Sequence, residues 1–64
     1  MKFTDMDMLQ DYEKDARMAV IAYTIMATDT QDRVLRSLFQ SMASSAGESQ
    51  AKTAAMILKK GDRP

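Results

Sequence analysis

MAVIAYTIMA, residues 18–27, is the longest apolar run of the chain, and only Thr24 interrupts it. Ten residues are too few to span a bilayer, which takes about 20 residues in a helix. The chain has no proline before Pro64, and its two glycines are Gly47 and Gly61. With so few helix breakers, we predict that the run is the buried part of a long helix.

This first helix is predicted to begin at Thr4 or Asp5, where a capping side chain precedes acidic residues that suit the helix dipole. Apolar side chains then recur every three or four residues and form one stripe along the helix. The stripe comprises Leu9, Tyr12 or Glu13, Ala16, Val20, Tyr23 and Ala27. After Asp15 a second apolar set fills the neighbouring face, namely Met18, Ile21, Ala22 and Ile25. A helix that is apolar nearly all round needs more than one neighbour, so a lone hairpin cannot cover it.

A turn is predicted at residues 28–31, between helices at about 4–28 and 31–60, in a single domain covering residues 1–64. Thr28 and Gln31 have the spacing of a capping box, and Asp29 is an alternative cap. The second helix carries a stripe of its own and ends at Lys59 and Lys60, with Gly61 where a left-handed C-cap belongs. The fold class is therefore all-α, an antiparallel two-helix hairpin.

Gly47 is the position where the second helix could break. A glycine inside a helix costs about 1 kcal/mol relative to alanine, and residues 44–47 (SSAG) could form a loop that opens a third helix. The continuous helix is preferred because no proline supports a break. Small residues around Gly47 would let a neighbouring backbone approach closely.

The size of the chain indicates self-association. A 64-residue chain rarely buries enough apolar surface by itself, and the absence of cysteine and histidine removes disulfides and the commonest zinc ligands. We therefore expect two hairpins to dimerise into a four-helix bundle. The start of the chain is acidic and its end is basic, so opposite charges meet within one hairpin, whereas like ends would repel in a parallel pair. An antiparallel dimer is predicted.

No catalytic or cofactor site is predicted, and the chain is not expected to be an enzyme. Di-iron bundle sites need inward glutamates and Glu-x-x-His motifs, but this chain has only Glu13 and Glu48 and no histidine. An all-carboxylate metal cluster would need Glu13, Glu48 and Asp11. The preferred interpretation is that Glu13 lies at the edge of the stripe, paired with a neighbouring base. The candidate bases are Lys14, Arg17 and Lys52.

Two other features have ordinary structural interpretations. Tyr23 and Arg36 lie at similar depth below the turn, and Arg36 is expected to pair with Asp32 one turn away. The seven methionines are expected to fill gaps in the core, although an adaptable exposed interface is the alternative at Met6 and Met8.

Binding to nucleic acid and to membranes is not expected. Nine basic residues balance nine acidic ones, so there is no overall field that would attract an anionic partner. Only four basic residues lie between positions 3 and 51, and acids are interspersed among them. The N-terminus turns acidic at once, with no apolar core of a signal peptide after it.

The layout resembles the spore coat protein F-like family of endospore-forming bacteria. The family's repeat opens with Thr-Asp-x-Asp, then Ile or Met, then Leu-x-Asp, and residues 4–11 (TDMDMLQD) fit it. Tyr23, Arg36 and the pair Lys60–Gly61 match the family's tyrosine, arginine and closing Lys-Gly without gaps. The closing aromatic residues are replaced by Asp62 and Arg63, and the usual Glu-Lys pair falls on residues 16–17 (AR).

This resemblance implies a ferritin-like bundle and a coat-associated structural protein, located in the spore coat or the mother-cell cytoplasm, with itself and other coat proteins as partners.

The predicted core comprises Leu9, Ala16, Val20, Tyr23, Ala27, Leu35, Phe39, Met42, Ala46 and Ile57. Within it, the interface between copies is assigned to Val20, Tyr23, Ala27, Leu35, Phe39, Met42 and Ala46. The alternative function is a small helical adaptor that docks an amphipathic partner helix.

Overall fold

A computed structural model describes residues 4–64 of the chain, so the predictions that involve residues 1–3 lie outside the described part. Helix α1 spans Asp5–Asp29 and helix α2 spans Arg33–Lys59, and the two pack side by side in opposite directions. The predicted all-α hairpin is confirmed, with helix ends within two residues of those expected. No helix within residues 4–64 is long and apolar enough to cross a membrane.

The start of α1 is capped as predicted. The Thr4 hydroxyl accepts a hydrogen bond from the Asp7 backbone N–H at 3.1 Å, and an Asp7 carboxylate oxygen accepts one from the Thr4 N–H at 3.0 Å. This reciprocal capping box satisfies two backbone donors that the first helical turn leaves without partners. The acidic residues Asp5 and Asp7 also face the positive end of the helix dipole.

The predicted cap of the second helix was wrong. Asp32, rather than Thr28 or Asp29, is the N-cap, and its carboxylate accepts from the backbone N–H groups of Val34 and Leu35 at 2.8 and 3.0 Å. Thr28 is still inside α1, where its hydroxyl donates to the Thr24 carbonyl at 2.9 Å. Because α1 continues to Asp29, the turn shifts towards the C-terminus.

Helix α2 runs without a break through Gly47, as preferred from the sequence. At its end Gly61 adopts a φ of +91°, which a residue with a side chain rarely takes. The N–H groups of Gly61 and Asp62 donate to the carbonyls of Leu58 and Ile57 at 3.0 and 3.1 Å. These two bonds form a Schellman motif, so the predicted glycine C-cap is confirmed.

The hairpin is a single layer of two helices. Its extents are 43 × 24 × 13 Å, and the shortest is close to the diameter of one helix with its side chains. Among residues 4–64 only two apolar residues are buried, Ala27 and Ile57, together with the polar residues Glu13 and Thr53. Large apolar side chains that the hairpin leaves exposed outnumber this small core several times over.

Candidate interaction surface

One flank of the hairpin carries a long groove between the helices. Its floor and walls come from equal numbers of residues on each helix. They are Tyr12, Asp15, Ala16, Ala19 and Tyr23 of α1, and Ser41, Met42, Ser45, Ala46 and Ser49 of α2. The groove encloses about 510 Å³. Most of the residues that line the middle of the groove have small side chains.

The apolar surface extends beyond both ends of this groove. Leu38 lies one helical turn before Met42, on the same side of α2, and is 51% exposed. At the end that holds the chain termini, Met8 and Met56 line a second hollow with Leu9, and they are 54% and 49% exposed. We call the groove together with Met8, Leu38 and Met56 the groove face.

The opposite flank of the hairpin is polar and internally bonded. The Glu13 side chain is only 2% exposed, and its two carboxylate oxygens accept hydrogen bonds from Arg17 and Gln50, each at 2.9 Å. The predicted pairing of Glu13 with a neighbouring base is therefore confirmed, with Arg17 as the base. We call the surface around Glu13, Arg17 and Gln50 the polar flank.

The predicted meeting of opposite charges at the ends of the hairpin yields no ion pair. Among residues 4–64 the single ion pair is the one between Arg17 and Glu13, inside α1. The two ends are joined instead by the Gln10 side-chain amide, which donates to the Asp62 carboxylate at 3.4 Å and to the Arg63 carbonyl. A neutral amide thus makes the contact that we assigned to charged residues.

Arg36 also differs from the prediction. Its guanidinium donates to the Thr30 carbonyl at 2.9 Å rather than to Asp32. The Asp32 carboxylate instead caps α2, and its Oδ1 accepts both capping hydrogen bonds. Arg36 therefore braces the turn through a backbone acceptor.

The predicted interface residues separate into two groups. Tyr23, Met42 and Ala46 line the groove. Val20, Ala27 and Phe39 are buried or half-buried along the contact between the two helices, and Leu35 is 43% exposed near the turn. Four further groove residues were not assigned to the interface, although Tyr12 was an alternative on the first stripe and Ser49 belonged to the second. They are Tyr12, Ala19, Ser45 and Ser49.

The apolar run at residues 18–27 is divided among three sides of α1. Val20 and Ala27 face α2, and Ala19 and Tyr23 face the groove. Four other residues of the run share the side of α1 that faces away from α2, and we call them the ridge; Met26, which is 39% exposed, lies outside this set. The ridge consists of Met18, Ile21, Ala22 and Ile25, whose three large side chains are 57%, 57% and 55% exposed.

The carboxylate metal cluster considered from the sequence is not assembled. Glu13 is buried with both oxygens engaged, whereas Asp11 and Glu48 are exposed. Within residues 4–64 there is no group of three or more acidic, histidine or cysteine side chains placed to hold a metal ion.

Four of the residues that carry the family resemblance have identifiable places in the structure. Thr4 caps α1, Tyr23 lines the groove, Arg36 braces the turn and Gly61 closes α2. Comparison of the chain with protein-family models, with curated proteins and with solved structures gives no match.

Proposed function

We propose that this chain is a non-catalytic structural protein that associates with itself through the groove face, two hairpins completing a four-helix bundle. The observation that carries the proposal is the continuous apolar surface from Met8 and Met56, through the groove, to Leu38. Isolated apolar side chains are normal on a protein surface, but a contiguous apolar strip rimmed by polar residues marks an interaction site.

The surface area supports the same conclusion. The single chain exposes 5078 Å², whereas a compact monomer of 7.2 kDa exposes about 4,100 Å². A standard interface removes about 800 Å² from each partner. One such contact on the groove face would bring the exposed area of each hairpin close to that of an ordinary compact protein.

The shape of the groove face favours an antiparallel arrangement of the two copies. Small residues in the middle, such as Ala16 and Ser45, allow the helices of the copies to approach closely. Bulky side chains stand at both ends, with Met8 and Met56 at the termini and Leu38 towards the turn. In an antiparallel dimer, Met8 and Met56 of one copy cover Leu38 of the other.

The biological setting that we propose is the bacterial spore coat. It rests on the resemblance of residues 4–11, Tyr23, Arg36 and Lys60–Gly61 to the coat protein F-like repeat. A self-associating helical unit suits a layer built from many copies, with other coat proteins as further partners. In a spore-forming host, the chain is expected in extracted coat layers or the mother cell and absent from vegetative cells. Its presence at equal levels in vegetative cells would contradict the coat assignment.

The self-association itself is tested with two matched leucine variants. Leu38→Lys places a charge in the proposed interface, so we expect the dimer dissociation constant to rise at least 100-fold, about 2.7 kcal/mol. Leu58→Lys makes the same change on the far side of α2, where Leu58 is 60% exposed, and should leave the constant within about threefold. Sedimentation velocity measures both. Equal effects of the two variants would mean that the groove face is not the interface.

A second function, a helical adaptor, is favoured by the dimensions of the groove. An open apolar trough of about 510 Å³ suits the apolar face of a single partner helix. This alternative predicts a monomer that copurifies with one stoichiometric partner and loses it in Leu38→Lys. A pure homodimer without such a partner would exclude it.

A further inference from the structure

The proposed dimer leaves one apolar surface unaccounted for. The ridge lies on the side of α1 that faces away from α2 and from the groove, so a four-helix bundle formed through the groove face does not cover it. Its side chains at positions 18, 21, 22 and 25 share one helix face, because they are three, four or seven residues apart. More than half of each large side chain is exposed.

The charges at the ends of the ridge indicate what covers it. Lys14 lies one turn before Met18 and Asp29 lies one turn after Ile25, both on the ridge side of α1. Both residues are exposed, and neither takes part in an ion pair within the described part of the chain. Lys14 and Asp29, about 22 Å apart along α1, therefore place a cation at one end of the short apolar ridge and an anion at the other.

Two copies of the ridge are complementary to each other when they pack antiparallel, but not when they pack parallel. When two ridges pack antiparallel about a two-fold axis between residues 21 and 22, Met18 faces Ile25 and Ile21 faces Ala22 of the other copy. Lys14 then faces Asp29 at both ends. In a parallel pair Lys14 would face Lys14, and Asp29 would face Asp29. A two-fold contact in which each residue meets its complement is the usual form of self-association.

We propose that the ridge is a second self-association surface, which binds the ridge of a copy in another dimer in antiparallel register. The inference rests on the proposed dimer, and it makes each four-helix bundle a building block with two ridges. Assembly can then continue beyond the dimer. The ridge offers four apolar side chains per copy, fewer than the groove face offers, so this contact forms at higher concentration than the dimer does.

The test uses charge reversal at the two ends of the ridge, measured by sedimentation velocity from micromolar to millimolar concentration. We expect the average mass of the unmodified chain to pass that of the dimer as concentration rises. Lys14→Glu or Asp29→Lys sets like charges opposite each other, which should raise the concentration for half-association of dimers about tenfold. The double variant restores opposite charges and should return to the unmodified value, as should an equimolar mixture of the two single variants.

Controls separate this inference from the proposed function. Ile21→Asp should stop assembly at the dimer, and an unchanged circular dichroism spectrum shows that the helices remain. An unmodified chain that stays dimeric at millimolar concentration, or single reversals that associate as it does, would overturn the ridge contact alone. A chain that is monomeric throughout would overturn the groove-face dimer and the ridge contact together.

Discussion

The two flanks of the hairpin satisfy their side chains in different ways. On the polar flank, the buried Glu13 has a partner for each carboxylate oxygen, and both partners belong to the same chain. On the groove face, Tyr12, Leu38 and Met56 are about half exposed and have no neighbour to cover them. The polar flank therefore fixes how α1 and α2 pack, whereas the groove face is available to a partner.

The bond from Gln50 to Glu13 illustrates the first role. It is the side-chain contact that joins the middle of α2 to α1, and a shift of one residue would separate the amide from the carboxylate. Leaving one oxygen of a buried carboxylate without a donor is costly, so this bond favours the observed register. Val20 and Ala27 also pack between the two helices. Their contacts select the register less strictly, because apolar packing is not directional.

The largest effect is expected where a charge is forced between the helices. Val20 is half-buried against α2, with a methyl 3.9 Å from the position that a Cβ would take at Gly47. Val20→Asp should destabilise the hairpin by more than about 3 kcal/mol, with loss of both helicity and dimer. Circular dichroism with urea denaturation measures the change. The neighbouring Ile21→Asp is the matched control, since it points to solvent and should keep helicity and dimer. Equal loss in both variants would refute the assignment of the two sides of α1.

A moderate effect is expected on the polar flank. Gln50→Leu removes one donor from the buried Glu13 carboxylate, which should lower the free energy of unfolding by about 1–3 kcal/mol. The matched control is Gln40→Leu, because Gln40 is exposed on the same flank of α2. That variant should change stability by less than about 0.5 kcal/mol. If Gln50→Leu were neutral, the hydrogen bond to Glu13 would not be needed for the register of the hairpin.

The smallest effects on stability are expected from substitutions of the two glycines. Gly47 has ordinary helical geometry and room for a methyl group, so Gly47→Ala should stabilise the protein by up to about 1 kcal/mol. Gly61 has a φ of +91°, so Gly61→Ala should destabilise it by about 1 kcal/mol despite open space around the site. Thermal unfolding of both variants shows whether each substitution raises or lowers the stability. Destabilisation by Gly47→Ala would show that the small middle of α2 is needed for a closer approach than the hairpin displays.

The helices and their outer ends were predictable from the sequence because local signals set them. Thr4 and Gly61 act through neighbours within a few residues, so their roles follow from capping chemistry. The turn was predicted less well, since Thr28, Asp29 and Asp32 are all good caps and the choice depends on where α1 meets α2. The polar partners of Gln10 and Arg36 depend on the same packing.

The candidate surface was only partly predictable for a related reason. Helical spacing showed that residues 18–27 are apolar nearly all round, and it assigned Tyr23 and Met42 to the core, whereas the structure has them half-buried along the groove. It did not show which of these residues α2 covers within one hairpin. That division, with Val20 inside and Ile21 outside, depends on the rotation of α1 about its axis relative to α2.

The most direct test of the central claim is the mass of the unmodified chain at low micromolar concentration, measured by sedimentation equilibrium. The groove-face account predicts twice the 7.2 kDa of one chain, with helical circular dichroism. A stable, helical species of 7.2 kDa would contradict it, because the groove face would then remain exposed in a folded monomer.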